Sequence, residues 1–201
     1  MTSVFVAIGK AIAAYERTFR VAPNALDAYA SGKESALTAE QKQGLVVFSR
    51  VGCTQCHWGP RLTDDAFHVT HLPTGRRDGA ADRGRWAGLP LLHASEFLTS
   101  SPWSDAAPRG SAPASDAPSP SMIGAFKTPP LRGVASAAPF GHGGTEGSLI
   151  AVTRSYGSGG LATEDPRTAG VTEPWLARFD EVAQWALVPF LETLTADPLV
   201  R

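Results

Sequence analysis

The sequence contains no uninterrupted apolar run of the roughly 18 residues that a membrane-spanning helix requires. Lys10, Glu16 and Arg17 interrupt the most apolar stretch, which lies near the start. Lysine and arginine form no cluster, and the formal net charge of the 201 residues is −1. Without a basic patch, neither nucleic acid nor an anionic membrane surface is an expected partner. We therefore expect no membrane span and no nucleic-acid partner.

Strand signals and internal repeats are also scarce, whereas helical spacing recurs. Residues 1–19 lack the basic start and the cleavage site of a secretory signal, and we interpret them as a helix. Within them Ile8, Ile12, Tyr15 and Phe19 fall at spacings of four, three and four, which places them on one helical face. This apolar face predicts a packing partner.

Three more helices are expected. Thr38 to Gln41 (TAEQ) has the form of a capping box and predicts the start of the second helix. The third is predicted from Ser148 to Tyr156, with Gly157 as its stop. The fourth is predicted from about Pro174 to Leu194. The residues expected to face inward from this last helix are Leu176, Phe179, Val182 and Ala186.

Two long segments have no helical period. Residues 59–85 are rich in Gly, Asp and Pro and predict a loop with isolated turns. Within this loop His68 is either a site residue or a structural one. Residues 104–121 are a low-complexity Ser/Ala/Pro/Asp tract, for which we expect a mobile surface loop. The fold class is therefore predicted to be mainly α with long loops.

Cysteine is rare, and both cysteines lie in the pentapeptide CTQCH, residues 53–57. Two thiols three positions apart on a helical turn can reach the two vinyl groups of one porphyrin, and the adjacent imidazole then points at the iron. The motif predicts one covalent haem c, attached through Cys53 and Cys56, with His57 as the proximal iron ligand. A redox disulfide and half of a zinc site are the alternatives. Zinc would need a fourth ligand from elsewhere, and thioredoxin-like chemistry would need a βαβ pattern, which the sequence does not show.

The surroundings of this pentapeptide resemble one protein family over nearly the whole chain. The resemblance lies in the runs ALDAYASGKESALTAEQKQGLVVFSRVGCTQCHWGPRLTDDAFH, GAFKTPPLRGVASAAPFGHGG and SLIAVTRSYGSGG, flanked by AIAAYERTF and VPFLETLTADPL. On these motifs the chain resembles the C-terminal haem domain of the bacterial di-haem cytochrome c peroxidase family, which includes the MauG-type enzymes. The fold that this implies is mainly α, a cytochrome c-like haem domain with long loops.

In this family an N-terminal haem meets peroxide, and a C-terminal haem passes or stores electrons. The resemblance implies that residues 1–20 are a helix from the end of a missing N-terminal haem domain and that residues 21–201 form the c-type cytochrome domain. It implies electron transfer within a periplasmic oxidoreductase that reduces hydrogen peroxide. The implied partners are the missing haem domain and a small electron-donor protein, a cytochrome or a cupredoxin. The alternatives are an independent mono-haem cytochrome that carries electrons and a remnant without a function.

The resemblance also suggests a sixth iron ligand. Family members carry a Met or a Tyr one short helix beyond a Pro-aromatic-x-His segment, which here is residues 139–142. Tyr156 stands at the matching position, and a tyrosinate there would favour ferric iron. Alternatively, Tyr156 is an aromatic residue that packs at a helix end. Met122, the only methionine besides Met1, is a less favoured ligand because it borders the low-complexity tract.

Five other residues are candidates through the same resemblance. His142 is implied to lie near the haem or between the domains, and its alternative is a surface loop histidine. Backbone oxygens of Ala137 and Pro139 are implied to bind calcium. Lys127 and Arg132 are candidate partners of the haem propionates, with a solvated loop cation as the alternative.

Overall fold

The computed structural model describes six stretches of the chain, residues 1–73, 82–98, 100–105, 118–160, 170–176 and 178–195. Residues 106–117, most of the low-complexity tract, fall outside the described residues, so the surface loop expected there stays a prediction. No helix within these stretches is both long enough and apolar enough to cross a membrane.

Helices dominate the described residues, which confirms the mainly α prediction. The α-helices are α1 (Thr2–Glu16), α2 (Ala25–Ala30), α3 (Ala39–Arg50), α4 (Arg85–His93), α5 (Leu149–Gly157) and α6 (Glu181–Thr193). Short 3₁₀ turns lie at Glu34–Ala36, Cys53–Gln55, Pro120–Met122 and Val134–Ser136. Strands β1 (Phe67–Val69) and β2 (Ala125–Lys127) pair antiparallel, with His68 opposite Phe126. These strands were not predicted because three residues are too few to show an alternation.

The predicted capping box at the start of α3 is confirmed. The Thr38 hydroxyl accepts the Gln41 backbone N–H at 3.2 Å, and the Gln41 side chain accepts the Thr38 backbone N–H at 2.9 Å. Both contacts satisfy donors that the first turn of a helix leaves unpaired. Helix α3 then runs to Arg50 and delivers the chain to the Cys-x-x-Cys-His motif.

The core lies where α3 and α5 pack against α6. Phe48 of α3 meets Phe190 of α6 with ring centroids 5.2 Å apart. Gly44 lets the two helices approach closely, since a Cβ there would lie 2.5 Å from the Ala186 carbonyl oxygen and 2.7 Å from Phe190 Cβ. Cys53 packs against the same cluster, so the core directly supports the motif.

The last predicted helix begins later than expected, and one of its inward residues was predicted wrongly. Leu176 belongs to a turn before the helix, and Asp180 caps α6 by accepting the Ala183 backbone N–H at 2.9 Å. Phe179 and Ala186 do pack against the core, but Val182 is 77% exposed. The buried residues of α6 are Ala183, Leu187, Phe190, Leu191 and Thr193. Packing against α3 sets this face, because the apolar period of the sequence alone allows a neighbouring phase.

The stop predicted for α5 is also displaced. Ser148 caps the helix, with its hydroxyl accepting the Ala151 backbone N–H at 3.3 Å. Gly157 is the last helical residue and is buried. An added Cβ at this position would lie only 2.4 Å from the Gln184 amide nitrogen, so the close packing requires glycine. The helix therefore ends one residue later than the predicted Tyr156, and the first glycine with a positive φ beyond it is Gly159, at +83°. Gly157 therefore serves close packing against α6, and the left-handed turn comes two positions later.

Helix α1 has no buried residue. Its predicted apolar face is about half exposed, with Ile8 at 55%, Ile12 at 54% and Tyr15 at 48%. One contact that it does make joins Phe5 to Phe97, whose ring centroids are 5.5 Å apart. Because so much of Ile8 and Ile12 is exposed, the packing partner expected for this face stays a prediction.

Candidate functional site

The two cysteines and the adjacent histidine lie on one tight turn after α3. Gly52 reverses the chain with φ +89°, and a Cβ there would lie 3.1 Å from the Trp175 carbonyl oxygen. The Cys53 carbonyl accepts the backbone N–H of Cys56 at 3.3 Å and of His57 at 2.9 Å. This double contact closes the turn, so the three functional side chains leave the backbone within a short stretch.

Both cysteines are free and partly buried. Burial raises the pKa of Cys53 to about 12. Burial also raises the pKa of Cys56, and the nearby carboxylates of Asp64 and Glu173 raise it further. Catalytic redox cysteines show the opposite shift, because the thiolate is the reactive form. The thiol environment therefore does not favour the redox-disulfide alternative.

His57 is held in one orientation by its ring nitrogen Nδ1, which lies 2.9 Å from the Leu62 carbonyl oxygen. A carbonyl only accepts, so Nδ1 carries the proton and Nε2 keeps its lone pair. Burial lowers the pKa of His57, which favours the neutral ring. The ring also packs near Phe48, with centroids 6.4 Å apart. A neutral imidazole whose other nitrogen is fixed by a carbonyl is the usual form of a histidine that binds a metal.

Tyr156 lies in the last turn of α5, close to both cysteines. Burial raises the pKa of its phenol, and negative charge on Cys53 and Cys56 would raise it further. Among the described residues no hydrogen bond is formed by the Tyr156 hydroxyl. The hydroxyl is therefore neutral in the protein alone and available to a ligand that supplies positive charge.

A charged cluster adjoins the Cys-x-x-Cys-His turn. The two ring nitrogens of His68 contact two carboxylates, Glu173 at 2.6 Å and Asp64 at 2.7 Å. Burial would lower the pKa of His68, but these two hydrogen bonds outweigh it and raise that pKa. The Asp64 backbone N–H donates to the Cys56 carbonyl at 2.9 Å. The Cys56 sulphur lies within 4.8 Å of an Asp64 carboxylate oxygen and of a His68 ring nitrogen, and the Trp175 ring meets His68 edge-on, with centroids 6.2 Å apart.

Sequence reasoning missed most of this cluster. His68 was left open between two roles, and Asp64 was not singled out, although the four-residue spacing between them was a usable signal. Glu173 and Trp175 are more than 100 positions along the chain from the motif and gave no signal at all. Tertiary packing alone brings them to Cys56.

The two candidate propionate partners have other contacts. Arg132 makes a bidentate pair with Asp27, at 2.7 and 2.6 Å, and its Nε donates to the Pro60 carbonyl oxygen. This pair holds the pKa of Asp27 below its usual value. Lys127, at the end of β2, pairs with Asp65. A propionate would have to compete with these protein carboxylates.

His142 and Met122 are placed by contacts outside the cysteine turn. His142 pairs with Asp82 at 3.2 Å and stacks on Phe126, with centroids 4.1 Å apart. Met122 ends a 3₁₀ turn that packs against α4. Within the described residues, none of these contacts joins His142 or Met122 to the Cys-x-x-Cys-His motif.

Ala137 and Pro139 follow the 3₁₀ turn Val134–Ser136. Their carbonyl oxygens accept no hydrogen bond from the described residues. Ca²⁺ takes six to eight oxygen ligands, so these two carbonyls would be a minority of any calcium site. The calcium site stays a prediction that needs ligands from elsewhere.

Comparison with known proteins identifies sequence relatives. The chain is 34% identical to the methylamine utilization protein MauG of Methylorubrum extorquens over 189 residues, which are 94% of this chain and 44% of that protein. It is 32% identical to the cytochrome-c peroxidase IdrP1 of Denitromonas iodatirespirans over 204 residues, 95% of this chain and 50% of that protein. The chain thus spans about half the length of the curated relatives it matches. No family model matches the chain.

Solved structures show the same fold. A MauG-like protein associated with microbial copper homeostasis has a TM-score of 0.60 and 21% identity, covering 87% of this chain and 52% of that one. The diheme peroxidase BthA from Burkholderia thailandensis has a TM-score of 0.61 and 20% identity, covering 87% of this chain and 46% of that one. At this identity the likeness establishes the fold alone, which is mainly α and cytochrome c-like.

Proposed function

The chain belongs to the family of MauG and the bacterial cytochrome c peroxidases, and on that premise we propose that it binds haem c and transfers electrons. In this proposal Cys53 and Cys56 form the thioether bonds and His57 is the proximal iron ligand. Residues 21–201 form the c-type cytochrome domain, and residues 1–20 are a helix from the end of an N-terminal haem domain. The observation that carries the proposal is the Nδ1 contact of His57, which leaves Nε2 free to bind iron.

The residues present fit this group. The free, protonated thiols of Cys53 and Cys56 lie on one turn, as attachment to a single porphyrin requires. Attachment adds each S–H across a vinyl C=C bond, so a C–S bond forms, the hydrogen goes to the neighbouring carbon and no oxidant is needed. When bound, haem c supplies a one-electron iron couple, which is the chemistry that an electron-transfer domain needs.

Tyr156 is the proposed sixth ligand. Its hydroxyl has no partner among the described residues, and its phenol lies close to both cysteines. Binding to ferric iron would remove the phenol proton, because the metal's charge offsets the cost of a buried anion. Met122 is the less favoured alternative, since its turn packs against α4.

The role in a larger protein is also part of the proposal. The aligned region is 50% of the cytochrome-c peroxidase IdrP1 of Denitromonas iodatirespirans, so this chain corresponds to one part of such an enzyme. In the complete enzyme two electrons and two protons convert hydrogen peroxide to two waters, and this domain passes the electrons from a small donor protein. That donor is a cytochrome or a cupredoxin, and the location is the periplasm. The second candidate is an independent mono-haem cytochrome that carries electrons.

Haem attachment is tested by expressing the chain in a periplasm with haem-attachment machinery. The protein band should keep haem colour on denaturing electrophoresis, and its mass should exceed that of the polypeptide by one haem. The double variant Cys53→Ala/Cys56→Ala should lose both signals, whereas His93→Ala, at an exposed position, should retain them. A colourless wild-type band with the mass of the bare chain would overturn the proposal.

A further inference from the structure

His68 joins two loops that are remote in sequence. Its ring lies between Asp64, from the loop after the Cys-x-x-Cys-His turn, and Glu173, from the segment before α6. All three side chains are largely buried, with exposed fractions of 14% for His68, 12% for Asp64 and 21% for Glu173. At 2.6 and 2.7 Å both contacts are short enough for charge-assisted hydrogen bonds.

The partners determine the charge of the ring. Ionised carboxylates only accept hydrogen bonds, so both nitrogens of His68 must donate for both contacts to form at once. The ring is then an imidazolium cation between the two carboxylates, and the three groups carry a net charge of −1. Without the cation, Asp64 and Glu173 would face each other as like charges, which separates the loops.

Both ends of this bridge reach the cysteine turn. The Asp64 backbone N–H donates to the Cys56 carbonyl at 2.9 Å. The Cys56 sulphur lies within 4.8 Å of an Asp64 carboxylate oxygen and of a His68 ring nitrogen. The Trp175 ring also meets His68 edge-on, with centroids 6.2 Å apart and planes at 74°. The bridge therefore fixes the Asp64 loop to the Cys56 backbone, and it brings the Trp175 ring, two residues after Glu173, toward the Cys56 sulphur.

We propose that His68 is a positioning residue of the haem site, which ties Glu173 to Asp64 and thereby holds the Trp175 ring over the Cys56 sulphur. The inference rests on the proposed function, because Cys56 is the residue that bears the porphyrin. A ring held there excludes water from that attachment point. Solvent access is one of the factors that set a haem potential, so loss of the ring shifts the potential.

The test is a double-variant cycle on the midpoint potential of the haem-loaded chain. His68→Ala and Trp175→Ala should each shift the potential in the same direction and by a similar amount, and the double variant should shift it no further than either single one. Non-additivity of this kind shows that His68 acts through Trp175. Glu173→Ala, which breaks the bridge without leaving two facing carboxylates, should give the same shift. The exposed control His93→Ala should not change the potential.

Additive shifts would overturn the proposal, because they would mean that His68 acts on the iron by its own charge. An unchanged potential in folded His68→Ala or Glu173→Ala would overturn it as well. In either case Trp175 would be held by something other than the bridge.

A second measurement does not need haem. In the haem-free chain carrying Cys53→Ser, a neutral maleimide labels Cys56. The labelling rate reaches a limit at high pH, where the thiol is ionised, and this limiting rate reports access of the reagent to the Cys56 sulphur. That limiting rate should rise in His68→Ala, Glu173→Ala and Trp175→Ala, and an unchanged rate in all three would contradict the proposal. If the wild-type chain takes up no haem, the proposed function fails, while this labelling result still decides the role of His68.

Discussion

Gly44 allows α3 and α6 to approach closely, and one added methyl group there is expected to destabilise the fold. In Gly44→Ala the new Cβ would lie 2.5 Å from the Ala186 carbonyl oxygen and 2.7 Å from Phe190 Cβ. Both atoms are rigid parts of α6, so the helices must move apart. Overpacking of this kind costs about 3 kcal/mol at the upper end, and the better helix propensity of alanine returns about 1 kcal/mol. The net expected loss in the free energy of unfolding is about 2 kcal/mol.

Two other helical glycines provide a matched control. A Cβ on Gly9 of α1 or Gly88 of α4 would meet no atom within 4 Å. Gly9→Ala and Gly88→Ala should therefore stabilise the chain by up to about 1 kcal/mol each, through helix propensity alone. Urea unfolding followed by circular dichroism measures all three variants. If Gly44→Ala is as stable as Gly88→Ala, the close packing of α3 on α6 is refuted.

Two further predictions concern the iron site and the loop that supports it. Tyr156→Phe should remove a six-coordinate ferric species from the optical and electron paramagnetic resonance spectra and raise the reduction potential, since an anionic oxygen favours ferric iron. Met122→Leu is its control, and spectra altered only in that variant would identify a His/Met site instead. Arg132→Lys should lower the free energy of unfolding by about 1 kcal/mol at pH 6, because a lysine cannot form the bidentate pair with Asp27. Arg132 lowers the pKa of Asp27 in the folded state. The contribution of this ion pair to the free energy of unfolding is therefore fully present above the usual Asp pKa of about 3.9. It is lost as the pH falls through the lower pKa of the folded state. Urea unfolding of both proteins at about pH 6 and about pH 2 should thus show a difference that shrinks in acid, and a constant difference would contradict this.

Local features of the chain could be predicted from the sequence. The capping box of Thr38 and Gln41 and the side-chain cap of Ser148 depend only on residues within one turn, and both are present. The mainly α fold and the family also follow from patterns and motifs that are contiguous in the chain. The compact turn of Cys53 to His57 is likewise local, because its hydrogen bonds close within five residues.

Tertiary packing decided the rest. The buried face of α6 differs from the predicted one at Val182, since the apolar period permits more than one phase and contact with α3 selects between them. Gly157 was predicted as a helix stop, but the neighbouring helix determines its role through Gln184. Likewise Glu173 and Trp175 reach the cysteine turn only because the segment before α6 packs against His68. A sequence encodes local hydrogen bonding directly, whereas contacts between distant segments depend on how all the helices pack together.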